Sequence, residues 1–417
     1  MYKIVLLGLV LAFRISYAQQ VKLPTVQPEK VGLSSDRLNL IKPLMQRYVD
    51  ENKLPGMITV VARHGKVVSF EKYGLMGIDK PMQSDAIFRI ASMTKPVTSV
   101  AVMLLYQEGR FQLDDAVAKY IPEFKELKVF SSSDKNGIHL EDQIKPMTIR
   151  NLLTFTSGLG SGVENTPIDS MYRAADLSGG TLKEMIQKLA KIPLLYQPGT
   201  RWKYGRSSDV LGYLVEVISG KPLDQFFKER IFIPLKMNDT GYYISKEKLK
   251  RVASVYRLDK QTGIKILTDP EINNVSTPVK FHSGNGGLLS TATDYLIFSQ
   301  MLLNKGEYNG VRILGSKTVD LMTSNQITNE KMPDDDFFGP MLAGMGFGFG
   351  FAVVKDQLPS IRPGSKGSYW WAGAANTYFY IDPKEDLIVI FMTQFVPNLY
   401  YPVCKEFREL VYQSIVD

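Results

Sequence analysis

Strands near both ends of the chain and helices between them predict an α+β protein, in which an antiparallel sheet flanked by helices carries an inserted, mainly helical lobe. Three observations lead there. Residues 57–63 and 66–72 are rich in β-branched side chains and flank His64-Gly65, the pattern of a β-hairpin. Residues 367–373, 376–381 and 387–393 repeat that character three times, with the turn formers Asp382, Pro383, Lys384 and Glu385 before the last run. Between these ends, helical periodicity and loops dominate.

Taken in order, the chain opens with Met1, Tyr2 and Lys3, an apolar run over 4–13, and Ser16, Tyr17 and Ala18. This reads as a signal peptide, residues 1–18, cut before Gln19. The run is shorter than the roughly 20 residues that span a bilayer, and no later run is long and uncharged enough, so no transmembrane segment is expected. The expectation is an exported protein, periplasmic or secreted. Residues 19–417 form one catalytic domain in this reading, with a sheet lobe over about 30–110 and 276–417 and a helical lobe over about 111–275. Ser34 and Ser35 cap an amphipathic helix through Leu38, Ile41, Leu44, Met45 and Tyr48. Residues 90–105 make a strongly apolar helix. Further helices are expected near 149–154, 182–189, 208–218 and 288–304, and a last one, 405–415, covers one face of the sheet. A cleft between the lobes is the natural site.

Composition narrows the function. The formal charge of +8 is spread among interleaved acids and bases, which disfavours nucleic-acid binding. The single Cys404 excludes an internal disulfide and reads as a buried filler beside Pro402 and Val403. Only His64, His139 and His282 occur, the first in a turn and the others in loops. There is no His-Glu-x-x-His pair and no Gly-x-Ser-x-Gly elbow, so a zinc hydrolase and an α/β-hydrolase are disfavoured.

A lysine one helical turn beyond a serine can take its proton without histidine, provided a dry, electropositive setting makes the ammonium less basic. Ser-x-x-Lys occurs as Ser92 with Lys95, Ser132 with Lys135, and Ser245 with Lys248. The last two lie in polar, charged stretches where both side chains are solvated. Ser92 instead opens the buried helix, and Pro96 fits a first turn because the amide it lacks has no helical partner there. The positive end of the helix favours an alkoxide at Ser92 and a neutral amine at Lys95.

The segment Phe88-Arg89-Ile90-Ala91-Ser92-Met93-Thr94-Lys95 resembles the nucleophile motif of the β-lactamase-like, penicillin-recognising serine hydrolases: class C β-lactamases, D-alanyl-D-alanine peptidases and family VIII carboxylesterases. Similarity continues through Thr148-Ile149-Arg150-Asn151-Leu152-Leu153-Thr154, Gln197-Pro198-Gly199-Thr200-Arg201-Trp202 and Gly286-Gly287-Leu288-Leu289-Ser290-Thr291. The resemblance implies a β-lactamase/transpeptidase-like fold. It also implies that Tyr204, in Tyr204-Gly205-Arg206, assists proton transfer, although Arg206 departs from the family's asparagine and Phe155 stands where many members carry His. Trp371-Ala372-Gly373 matches the Trp-x-Gly form of the third motif. The resemblance then puts the oxyanion hole at the backbone amides of Ser92 and Ala374, and Trp371, Gly373 and Arg206 beside the substrate. Gly373 suits a strand that substrate must approach closely.

These residues predict a serine hydrolase that transfers the acyl group of a small ester or amide to water, with Lys95 and Tyr204 deprotonating Ser92 and no metal or organic cofactor required. Trp371 in place of the motif's lysine favours neutral esters. The alternatives are a β-lactamase or D-amino-acid peptidase, in which Arg206 or another cation supplies the missing carboxylate contact, and a catalytically idle module recognising cell-wall peptides. Substrate preference depends on cleft-lining loops such as 330–344, and neither oligomeric state nor the acyl acceptor is readable from the sequence.

Overall fold

The computed structural model describes residues 23–163, 166–259, 261, 263–266, 275–328, 342, 344–355 and 363–417. The expected leader with its cleavage site, and most of 330–344, lie outside the described residues. One antiparallel sheet dominates. The N-terminal part supplies β1 (Gly56–Arg63), β2 (Lys66–Gly77) and β3 (Lys80–Pro81). The C-terminal part supplies β4 (Met345–Phe347), β5 (Ala352–Val354), β6 (Tyr369–Ala372), β7 (Tyr378–Asp382) and β8 (Leu387–Met392). Their order, β4-β5-β6-β7-β8-β1-β2-β3, joins the two ends of the chain where β8 pairs with β1 and Val60 faces Ile390. The α+β class expected from the sequence is what the chain adopts.

Four helices frame the sheet and the site: α1 (Thr94–Gln107), α2 (Ser207–Ser219), α3 (Ala292–Leu303) and α4 (Val403–Gln413). On one face of the sheet, Tyr295 of α3 packs on Phe379 of β7 with ring centroids 5.1 Å apart. On the other, Phe407 of α4 packs on Phe391 of β8 at 6.2 Å. Covering both faces explains why β8 reads as an unbroken apolar run and β1, buried along its whole length, is largely apolar with only Thr59 and Arg63 polar. Successive strand residues point to opposite faces. Trp371, opposite Phe379, therefore belongs to the α3 face, and Trp370, opposite Tyr380, to the α4 face. Helix α2 packs on α1 beside that α3 face.

The β1–β2 turn places His64 and Gly65 at φ 52° and 69°, the mirror-image geometry that suits a hairpin's twist. Elsewhere the chain departs from expectation in local ways. The first amphipathic helix is two, Ser35–Leu38 and Ile41–Asp50, parted at Asn39 and Leu40. The helix expected over 288–304 starts at Ala292, because Leu289–Thr291 pairs as a strand with Ile87–Arg89. The Thr291 hydroxyl then caps α3, accepting from the Asp294 amide at 3.1 Å. Val129–Asp134 and Gly137–Glu141 form a largely exposed hairpin, which holds Ser132 in solvent and puts His139 on a strand. Ser245 is exposed, and Lys248 pairs with Asp239 at 2.8 Å. Among the described residues, no helix is long and apolar enough to cross a membrane.

Candidate active site

Ser92 sits in a 3-10 turn, Ala91–Met93, between the strand Ile87–Arg89 and α1. Ala91 has φ 44°, left-handed backbone that costs a residue with a Cβ on the order of 1–3 kcal/mol. Contacts from three directions hold the turn. Ile90 N donates to Leu288 O at 3.0 Å, Tyr295 Oη to Met93 O at 3.0 Å, and Thr377 Oγ1 to Ile90 O at 3.2 Å.

Two groups converge on the serine oxygen. Tyr204 Oη donates to Ser92 Oγ at 2.7 Å, and Lys95 Nζ stands 3.1 Å from the same atom. Lys95 is 2% exposed, donates to Asn285 O at 2.7 Å, and lies 4.5 Å from the centroid of the Tyr204 ring. Burial lowers its pKa to about 7; Arg206 pushes the same way and Asp209 opposes. Burial raises the Tyr204 phenol above its ordinary value, against hydrogen bonds with Ser92 and Trp371. Near neutral pH the serine therefore faces an amine that is partly free of its proton and a phenol that keeps its own.

Aromatic rings make the site dry. Phe155 stacks on Tyr204 at 5.6 Å, Trp202 at 6.4 Å and Trp371 at 5.8 Å, with Phe347 edge-on to Trp371 at 5.5 Å. Phe155, the departure from His, is thus an apolar wall behind Tyr204, held at φ 55°.

Behind Lys95, the fully buried Asp209 of α2 accepts from Ser283 Oγ at 2.6 Å and Asn285 N at 3.0 Å. Asn285 Nδ2 donates to Gly205 O at 2.9 Å, tying the loop that holds Lys95 to the loop that carries Tyr204. Sequence reading missed both residues. A buried acid in the first turn of an apolar helix was a usable signal for Asp209; Asn285 works through a backbone carbonyl, which no residue type announces.

Two of the expected substrate-side residues have structural partners. Arg206 is paired with Asp209 at 3.1 Å, with its side chain 23% exposed. Packing gives Gly373 a reason of its own: a Cβ there would press on Ile90 O and Thr377 Oγ1. Its missing side chain lets the end of β6 dock on the nucleophile turn, with exposed Ala374 one residue beyond the contact.

An antiparallel sheet covered by helices on both faces, with a serine on the turn that leads into a buried helix, defines the β-lactamase-fold serine hydrolases. The Beta-lactamase family profile matches residues 40–413, and the chain belongs to that family. Protein Rv1367c of Mycobacterium tuberculosis is 37% identical over 363 residues, spanning 85% of this chain and 89% of that protein. Esterase EstB of Burkholderia gladioli is 28% identical over 389 residues, spanning 87% and 92%. Among solved structures, EstCE1, described as a hydrolase with promiscuous acyltransferase activity, superposes with a TM-score of 0.76 at 26% identity, covering 90% of this chain and 99% of its own.

Proposed function

We propose that the chain is a carboxylesterase for small neutral esters, working through an acyl-enzyme on Ser92. The observation that carries this reading is the placement of Ser92 Oγ between Tyr204 Oη and Lys95 Nζ, with the lysine's pKa lowered to about 7. In its neutral form Lys95 accepts the Ser92 proton as Oγ attacks the ester carbonyl. The developing oxyanion rests on the amides of Ser92 and Ala374. As the bond to the leaving alkoxide breaks, the proton held by Lys95 reaches it through Tyr204, whose phenol donates and is refilled. Water then enters by the reverse path and releases the acid. Trp371 sets an apolar indole where a cation would recruit a carboxylate, and Arg206 is occupied by Asp209, so neutral substrates fit best.

The kinship with Esterase EstB agrees with this reading. EstCE1's acyltransferase activity favours a second one, in which an alcohol replaces water at the same acyl-enzyme. The test compares a short-chain nitrophenyl ester with a chromogenic cephalosporin, with and without an added alcohol. Faster turnover of the ester, lost in Ser92→Ala, is expected; the reverse order of substrates overturns the esterase reading, and a new ester formed from the added alcohol establishes transfer. We also propose export by the leader 1–18, checked by whether the protein recovered outside the cytoplasm begins at Gln19.

A further inference from the structure

On the α4 face of the sheet, away from Ser92, a half-open cavity of about 190 Å³ is lined by Trp370, Tyr378, Tyr401, Cys404, Lys405 and Arg408, among others. Its wall contains an incompletely answered charge. Arg408 is 3% exposed, yet among the described residues its guanidinium makes one hydrogen bond, from Nη1 to Tyr378 Oη at 3.3 Å, and its buried Nε has no partner. The Tyr380 ring lies under it at 5.0 Å. The nearby acids are engaged elsewhere. Glu406 accepts from Tyr48 Oη at 2.8 Å, Asp382 from Tyr412 Oη at 2.5 Å, and Glu409 faces Lys405 at 3.8 Å. The indole Nε1 of Trp370 is likewise buried without an acceptor.

A guanidinium stays charged at any pH a protein survives and carries five donors in a planar fork. Holding one out of water without a counter-charge is costly, so an anion that completes it gains both a partner and a desolvated setting. Here the guanidinium borders a cavity walled by aromatic rings, with Lys405 on its lining adding attraction for negative charge. The planar fork matches a carboxylate, and the rings match an apolar body. The cavity is smaller than those that take drug-sized ligands, which limits that body to a phenyl ring or a short alkyl chain.

We propose that this cavity binds a small monocarboxylate with an apolar body, its carboxylate received by the guanidinium of Arg408. The site is separate from the Ser92 cleft, although only one strand divides them: Trp370 lines the cavity and Trp371 packs on Tyr204.

The test is calorimetric titration of the full chain with benzoate at fixed ionic strength. Saturable one-to-one binding is expected, with benzyl alcohol and inorganic phosphate at least roughly tenfold weaker, because each lacks either the charge or the apolar body. Arg408→Met should abolish the binding. Lys405→Glu, at a half-exposed position that folding tolerates, should weaken it several-fold while leaving ester hydrolysis unchanged, and it decides the matter if Arg408→Met does not fold. No saturable binding to the wild type, equal affinity for phosphate or benzyl alcohol, or wild-type affinity in Lys405→Glu overturns the proposal.

Discussion

If the neutral amine of Lys95 is the working form, as proposed, its pKa, lowered to about 7, should set the pH dependence of the reaction. The expected kcat/KM rises with pH through about 7 and then levels. The same shift acts on stability. Between about 7 and the ordinary 10.5 the unfolded chain holds a proton that the folded chain has released, so this group's contribution to unfolding free energy increases with pH across that window. Tyr204→Phe separates the two partners of Ser92. If the phenol relays protons and Lys95 is the base, this variant lowers kcat/KM by roughly 10²-fold and keeps the rise near neutral pH. Disappearance of that rise would make the tyrosine the base. Ser92 and Lys95 could be picked from the sequence because only one of three equal spacings opens an apolar helix. The pairing of Arg206 with Asp209, three residues on, was not read from the sequence because it depends on both facing the same side of the start of α2. Asn285 was invisible for a different reason: its contribution to Lys95 comes from the chain's own carbonyl.

Elements matter here for how they bring distant residues together. The end of β6 meets the Ser92 turn at Gly373, where an added Cβ would press on the Ile90 carbonyl. Backbone on that side cannot swing away as a side chain can, so Gly373→Ala should destabilise the protein by about 1–3 kcal/mol. It should also lower kcat, by displacing the Ala374 amide from Ser92. Urea unfolding and initial rates check both effects, and a variant with wild-type stability would mean that the strand end is not held against the turn. The central strands were legible because burial on both faces makes them largely apolar. The exposed strand Val129–Asp134 was not: it is mostly in water, and its sequence carries none of the alternation that marks a half-buried strand. Strands β4 and β5 escaped notice because glycines interrupt the run from Gly346 to Gly350 that joins them.

At the scale of the molecule, the sheet is completed only when both ends of the chain have arrived. β8 pairs with β1, and α4 then covers the joint through Val403, Phe407 and Val411, all at most 1% exposed. Beyond α4, Asp417 pairs with Arg63 of β1 at 2.6 Å. Removing residues 403–417 should therefore abolish cooperative unfolding, as followed by circular dichroism, rather than merely lower its midpoint. Retained cooperativity would show that the sheet closes without that helix. The overall class followed from where strands and helices fall along the chain, whereas the pairing order did not, since nothing local tells β8 to seek β1.

Whether Ser92 is a nucleophile activated by Lys95 is tested most directly by the intact mass of the protein after fluorophosphonate treatment, compared among wild type, Ser92→Ala and Lys95→Ala. A single adduct is expected on the wild type, none on Ser92→Ala, and one formed at least roughly 10²-fold more slowly on Lys95→Ala. An adduct that survives Ser92→Ala, or no adduct on the wild type, would contradict the assignment.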